Sequence, residues 1–236
     1  MKLQHFLSKQ GVFSRRVSER MINDGFVLVN GQVQANPLHV VGHNDQVMLA
    51  DKIDDYANQL GMILMHKPRG VWTNCKQGAG EKEVIDLLPK KYRHYSSIGR
   101  LDKDSEGLIL FTNDGVYANQ FLNAGNVHER VYHVWLKSPL TNKQQQQLMA
   151  GILLDDGPTK PCKVSQMKRG CYEFTLIEGK NRQIRRMVEW CGTHVTRLKR
   201  VSFGQHALGG IVAGQYRWVS LRDGFYNRAK SFLQTL

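Results

Sequence analysis

Gly99-Arg100-Leu101-Asp102-Lys103-Asp104-Ser105-Glu106-Gly107 runs directly into Leu108-Ile109-Leu110-Phe111. The apolar four are bounded by Gly107 and, shortly after, by Asn113-Asp114-Gly115, a pattern that predicts a buried strand. The charged segment before it is then a loop anchored on a rigid strand, a frequent setting for a catalytic side chain. Within that loop Asp102 stands between Arg100 and Lys103. Two structural readings compete with a catalytic one. Asp102, Asp104, Glu106 and Gly107 match the first half of a calcium-loop pattern, but Asn113 occupies the place of the bidentate glutamate, and Arg100 and Lys103 oppose a cation. The other competitor is a solvated charged turn, against which only the rest of the chain can decide.

With 236 residues there is room for one large domain or for a small one and a medium one. The 41% hydrophobic content suffices for a packed core. Lysine and arginine number 33 against 20 acids, a net charge of +13, and the pI is near 9.7. Such an excess implies an anionic partner, most often nucleic acid. An anionic membrane is the alternative, but no basic amphipathic anchor with exposed aromatics stands out. Cys75, Cys162, Cys171 and Cys191 show no CxxC spacing, which argues against zinc and against a disulfide framework; free thiols fit a reducing cytoplasm. The first residues lack a signal-peptide core and no stretch approaches about 18 apolar residues, so a cytoplasmic protein without membrane contact is expected. There is no GxGxxG and no Walker loop, and no nucleotide cofactor is expected.

The first 50 residues read as a unit. Leu3, Phe6 and Leu7 recur at helical spacing and Gly11 ends that turn. Ser14 is placed to cap a second helix, Arg15 to Asn23, with Val17, Met21 and Ile22 turned inward. Phe26 to Val29 predicts a strand, Asn30-Gly31 a type I′ hairpin turn, Gln32-Val33-Gln34 the return and Gln46 to Leu49 a last strand. Two short helices and a hairpin, carried by Gly11-Val12-Phe13-Ser14-Arg15-Arg16 and Gly25-Phe26-Val27-Leu28-Val29-Asn30-Gly31, resemble the S4 RNA-binding domain over residues 1–50. On that resemblance Lys9, Arg15, Arg16 and Arg20, on or beside the second helix, neutralise RNA phosphates; without it they are a solvated helix face. Residues 51–61 are polar and lack strong periodicity, and read as a linker to a second domain, 62–236.

Met62-Ile63-Leu64-Met65 predicts a buried strand left through His66-Lys67-Pro68-Arg69-Gly70, where Pro68 stops pairing and Gly70 permits a tight turn. Val116 to Leu122 and Lys143 to Met149 predict helices, and Arg130 to Leu136 a strand with alternating faces. Phe174 to Ile177 predicts a strand leading into Glu178-Gly179-Lys180-Asn181-Arg182-Gln183-Ile184-Arg185-Arg186-Met187. There Ile184, Met187, Val188 and Cys191 recur at i, i+3, i+4 and i+7, the inward face of a helix that Gly192 ends. Arg182, Arg185 and Arg186 fall on its other faces, and Arg197, Lys199 and Arg200 continue the positive charge along the next strand.

Three separated motifs, Lys67-Pro68-x-Gly70, Gly99-Arg100-Leu101-Asp102 and Asn181 to Met187, resemble in order those of the RsuA-type pseudouridine synthases. With the S4-like start, the resemblance covers essentially the whole chain to about residue 220. It implies an α+β fold: a small S4 domain, then a catalytic domain on a mixed, mostly antiparallel sheet with the cleft across its middle. It implies conversion of a uridine of ribosomal RNA to pseudouridine, and Glu178 to Gln183 are closer to the large-subunit members of the group. It makes Asp102 the nucleophile, Tyr132 the active-site tyrosine and Arg185 the basic partner of the aspartate. Arg100, Lys180, Arg182 and Arg186 are expected to hold RNA rather than do chemistry. The expected partner is structured RNA, met by a monomer without cofactor or metal.

That reaction moves the base from N1 to C5 attachment, with atoms neither gained nor lost. The target base must leave its stack, and positive charge develops on the sugar as in glycoside hydrolysis. A carboxylate must meet that charge while water is kept out. Burial disfavours an ionised carboxylate, so a cation has to accompany it, and an arginine fork orients it better than a lysine. The Tyr132 ring can stack on uracil and its hydroxyl can assist loss of the C5 proton. Attack at C1′, addition at C6 and removal of a sugar proton are all open to Asp102. The rival reading is a non-catalytic S4-domain RNA-binding or ribosome-assembly factor, which shares the charge but has no use for Asp102, Tyr132 and Arg185 together.

Overall fold

The computed structural model describes residues 1–74, 80–123 and 125–232; Cys75 lies outside them. In chain order the helices are α1 (Leu3–Lys9), α2 (Arg15–Asn23), α3 (Ile53–Gln59), α4 (Gly115–Leu122), α5 (Asn142–Ala150), α6 (Gln183–Trp190) and α7 (Arg222–Ala229). The strands begin with β1 (Val27–Val29), β2 (Gln32–Val33), β3 (Val47–Leu49), β4 (Gly61–Lys67), β5 (Ser96–Ile98), β6 (Glu106–Thr112) and β7 (Arg130–Leu136). They continue with β8 (Leu153–Leu154), β9 (Gly157–Pro158), β10 (Lys163–Lys168), β11 (Cys171–Leu176), β12 (Val195–Phe203), β13 (His206–Ala207) and β14 (Tyr216–Ser220). Among the described residues no helix is long and apolar enough to cross a membrane.

The chain divides into two compact units, one of residues 1–62, 112–120 and the stretch from Trp218 on, the other of residues 63–111 and 121–217. In the first unit β1 pairs with β2 on one side and β3 on the other. Asn30 and Gly31 take φ of +53° and +78°, as a type I′ turn requires. Leu3, Leu7, Met21, Ile22, Val27 and Leu49 are buried together with Phe13. Ser14 occupies the N-cap position of α2, but its side chain makes no capping bond. Its carbonyl instead accepts from the Ser18 backbone N–H and hydroxyl. The stretch expected to be a linker contains a helix, α3. Ile53, Tyr56, Ala57 and Leu60 follow the i, i+3, i+4, i+7 spacing, and all but Tyr56 are fully buried. The Tyr56 ring meets those of Phe13 and Phe225, each at 5.6 Å, so the C-terminal α7 closes this core.

The second unit is built on a sheet of order β10-β11-β7-β12-β6-β4, with β13 beside β12 and β5 beside β6. β12 runs parallel to β6 but antiparallel to β7, which runs antiparallel to β11. The sheet is therefore mixed, as the resemblance implied. Every residue of β4 and β6 is buried, which explains their continuous apolar runs. Alternation along β7 is confined to its end, where Val134 and Leu136 are buried; Arg130 to His133 are all half-buried. Helix α6 turns Ile184, Met187 and Val188 onto Val134, Phe174 and Leu198. It ends in a Schellman turn, with the Gly192 N–H on the Glu189 carbonyl, the Thr193 N–H on that of Val188, and Gly192 at φ +74°.

Candidate active site

The loop carrying Asp102 is pinned at both flanks. Before it, the buried Thr73 hydroxyl donates to the Leu101 carbonyl at 2.8 Å and accepts from the Leu101 N–H at 3.1 Å. After it, the Ser105 N–H closes a turn on the Asp102 carbonyl. The fully buried Lys67 ammonium donates to the carbonyls of Pro68 (2.9 Å), Lys103 (3.3 Å) and Ser105 (2.7 Å). Its three N–H groups thus meet three acceptors. The Gly70 N–H adds a second donor to the Lys103 carbonyl at 2.8 Å. Burial lowers the Lys67 ammonium to about 8, while the carboxylates of Asp102, Asp104 and Glu106 pull it up. The Lys-Pro-x-Gly motif therefore holds the Asp102 loop in place. The Lys103 side chain turns away to Glu81 at 2.9 Å.

Asp102 opens on a cavity of about 490 Å³, within the range of small-molecule sites. Of the expected site residues, Arg100, Asp102, Tyr132, Lys180 and Arg182 line it, and Arg185 and Arg186 do not. Tyr132 packs against both cores of this unit, so its ring position is fixed from two sides. The ion pair at Asp102 is made by Arg182, at 4.0 Å, rather than by Arg185 as the resemblance implied. Arg185 is buried and donates to the Asp104 carbonyl (3.3 Å) and the Ser105 hydroxyl (3.4 Å), two residues and three past Asp102. Burial, then the nearby Arg182 charge, holds Arg185 below the ordinary arginine value, against the attraction of Asp102 and Asp104. Its role in this geometry is to brace the loop rather than to grip the carboxylate.

Arg182 reaches Asp102 from an unusual backbone. It is the N-cap of α6 at φ +48°, a left-handed conformation that costs a residue with a Cβ about 1–2 kcal/mol. A buried amide network enforces it. Gln183 accepts from the Lys180 N–H at 3.0 Å and donates to Glu178 at 2.7 Å, and Glu178 accepts from the Lys160 N–H at 2.9 Å. Two expected RNA contacts are engaged within the protein instead. Arg186 forms a two-pronged pair with Asp156, 2.9 Å on each prong, which raises its pKa. The Lys180 ammonium sits on the carbonyls of Asp156 (3.0 Å) and Gly157 (2.7 Å), clamping the β8–β9 hairpin. Glu106, the buried carboxylate of the motif, is held by Arg197 at 2.6 Å.

In the first unit Lys9, Arg15, Arg16 and Arg20 are all exposed. Arg15 and Arg16 open α2, whose first turn contains no acid. Cations there oppose the helix dipole, an arrangement an anion would relieve. Sequence reasoning missed four residues around the site. Thr73 and Lys67 act through the backbone of the loop, and Arg130 and Arg200 line the cavity. The run Arg197, Lys199, Arg200 was a signal for the last of these, though not for its burial at 3% exposure.

A pinned carboxylate in a cationic cavity, in a chain that also holds a small helix-and-hairpin unit with exposed arginines, fits an enzyme that acts on RNA. Models of known families identify which kind: that described as RNA pseudouridylate synthase matches residues 61–190, and that of the S4 domain matches residues 1–47. The chain belongs to the RNA pseudouridylate synthase family. It is 36% identical over 222 residues to the dual-specificity RNA pseudouridine synthase RluF of Escherichia coli K12, across 92% of this chain and 74% of that protein. It is 32% identical over 222 residues to the ribosomal large subunit pseudouridine synthase B of Bacillus subtilis, across 92% of this chain and 91% of that one. A crystal structure of a pseudouridylate synthase shares the fold with a TM-score of 0.67 at 22% identity, covering 97% of this chain and 99% of that one. The catalytic reading stands over the non-catalytic RNA binder.

Proposed function

We propose that this protein converts a specific uridine of large-subunit ribosomal RNA to pseudouridine, with Asp102 as the nucleophile. The observation that carries the reading is the convergence of Asp102, Arg182 and Tyr132 on one cavity, on a loop braced by Lys67, Thr73 and Arg185. Pre-organisation of this kind is what the reaction needs, because the carboxylate must meet a developing sugar cation in a fixed place. Arg182 keeps the carboxylate ionised once RNA covers the cavity. Tyr132 stacks on the uracil and assists loss of the C5 proton. The exposed cations of the S4 unit, Lys9, Arg15, Arg16 and Arg20, position the RNA through its phosphates without reading sequence. The working unit is a single chain in the cytoplasm, where its RNA resides.

The test is a map of pseudouridines in ribosomal and transfer RNA from cells with and without this chain. Loss of one large-subunit site, restored by the wild-type gene and not by Asp102→Asn, supports the reading. An unchanged map would turn it toward a binding role.

A further inference from the structure

Two cations in the cavity have no part in the chemistry described above. Arg130 stands on β7 two residues before Tyr132, and Arg200 on β12 is the cross-strand partner of Tyr132, so the three share a face of the sheet. Both arginines line the cavity that contains Asp102. Their guanidinium carbons lie 4.6 Å and 5.1 Å from the centroid of the Phe203 ring, so one aromatic platform supports both. Arg200 is 3% exposed. Its Nε donates to the Leu108 carbonyl at 2.7 Å, and among the described residues its buried Nη2 has no hydrogen-bond partner. Arg130 donates through Nη1 to the His128 carbonyl at 3.0 Å. Both anchors are neutral, and among the described residues no carboxylate lies within 4.0 Å of either guanidinium. Burial holds Arg130 below its ordinary value, with the Arg200 charge adding to that effect against the attraction of Tyr132.

A buried, unpartnered guanidinium N–H is costly, and native proteins keep such groups for a reason. A second uncompensated cation beside it adds repulsion. We propose that Arg130 and Arg200 together seat one phosphodiester of the RNA strand, next to the nucleotide that Asp102 acts on. The inference rests on the synthase reading. A phosphodiester brings one full negative charge and two unesterified oxygens, which can accept from Arg200 Nη2 and from the remaining N–H groups of Arg130 together. A uracil carbonyl would satisfy an N–H but leave both charges uncompensated. A phosphate held on the Tyr132 face fixes the ribose beside it, so this seat positions the sugar for the bond that breaks rather than only adding affinity.

The test uses the full chain and a short hairpin RNA carrying the mapped uridine, with the phosphates flanking that uridine replaced singly by neutral methylphosphonates. Arg130→Glu is the main variant, because the new carboxylate can pair with Arg200 and leaves no buried charge alone. Arg200→Lys is the second, and melting curves check that each folds. For Arg130→Glu the slope of log affinity against log salt should become shallower by about one. Its single-turnover rate at saturating RNA should fall at least ~10-fold, as misplacement of a reacting group demands. One of the two methylphosphonates should impose the same losses on the wild type and nothing further on Arg130→Glu. Arg200→Lys should keep the salt slope and lose rate. An unchanged slope, or losses from variant and methylphosphonate that multiply at both positions, overturns the phosphate seat. Failure of the wild type to form product on this RNA would instead sink the synthase reading, while the slope and the methylphosphonate effect on binding still report on the seat.

Discussion

Replacing Lys67 by methionine tests whether the first motif acts by holding the second. The substitution keeps the length of the side chain and removes three donors, so the carbonyls of Pro68, Lys103 and Ser105 lose their shared partner. The Lys103 carbonyl keeps the Gly70 N–H, so two acceptors are left unpaired, and at about 1–3 kcal/mol each the sum is about 4 kcal/mol. Against this, methionine removes a desolvated charge. Lowering the ammonium from 10.5 to about 8 corresponds to about 3 kcal/mol, which solvent screening reduces to about 2 kcal/mol. A net loss of about 2 kcal/mol follows. The rate should suffer more, because the Asp102 loop loses its tie at Ser105 and one of two at Lys103, and a shift of about 1 Å can cost on the order of 100-fold. Wild-type Lys67 also supplies a pH signature. Its folded value lies below its unfolded one, so between about 8 and 10.5 the unfolded chain binds more protons. Its contribution to stability is therefore full above 10.5 and lost as pH falls through about 8. Activity should move the other way, since a neutral amine has two N–H groups for three carbonyls and the loop loosens as pH rises through 8. Denaturant unfolding and single-turnover rates across this range, for wild type and Lys67→Met, read both trends. A variant that is destabilised yet turns over at the wild-type rate while folded would refute the argument, because the clamp would then serve stability alone.

Asp102→Asn should abolish product formation and leave RNA affinity within a few fold, since phosphate contacts dominate binding; equal loss of both would make Asp102 a structural residue. Arg182→Gln should lower the single-turnover rate on the order of 100-fold with little change in melting temperature, because Arg182 is 44% exposed at its side chain and only its charge faces Asp102. Arg185→Gln should lower both, because the loop loses two hydrogen bonds from a buried partner; the reverse ranking would return the ion-pair role to Arg185. Gly107→Ala should unfold the second unit or destabilise it by more than about 3 kcal/mol, since a Cβ there would stand 2.2 Å from the Arg200 carbonyl oxygen at φ +107°. A soluble Gly107→Ala protein with wild-type melting would show that the β6–β12 pairing can slip without cost.

What could be read from the sequence was what neighbouring residues decide among themselves. The runs of β4 and β6 are continuous because both faces are covered, and Asn30-Gly31 makes its turn from two residues that tolerate positive φ. The inward stripe of α6 is likewise local. Helix α3 was missed although its apolar spacing was present, because Asp54, Asp55 and Asn58 between the stripe residues give the stretch a polar average. The larger difference from the expectation concerns which arginine makes the ion pair with Asp102. Arg182, Arg185 and Arg186 are equivalent as local sequence, a basic cluster on one turn of helix. Their fates are set elsewhere: Arg186 by Asp156, Arg185 by the backbone beyond Asp102, and Arg182 by a left-handed turn that Gln183 and Glu178 enforce. No propensity predicts that turn, since arginine gains nothing from positive φ.

The same distinction explains why three separated motifs travel together along one chain. Lys67 spends its three hydrogen bonds on the backbone around Asp102, and Arg185 contributes two more from the third motif. On the proposed mechanism neither needs to touch RNA to matter, because a carboxylate that has to meet a transient sugar cation cannot wander by an ångström. The motifs are thus one site cut into three pieces by the chain. Gly107 joins them, by letting β12 come close enough to β6 for Arg200 and the Asp102 loop to line a single cavity.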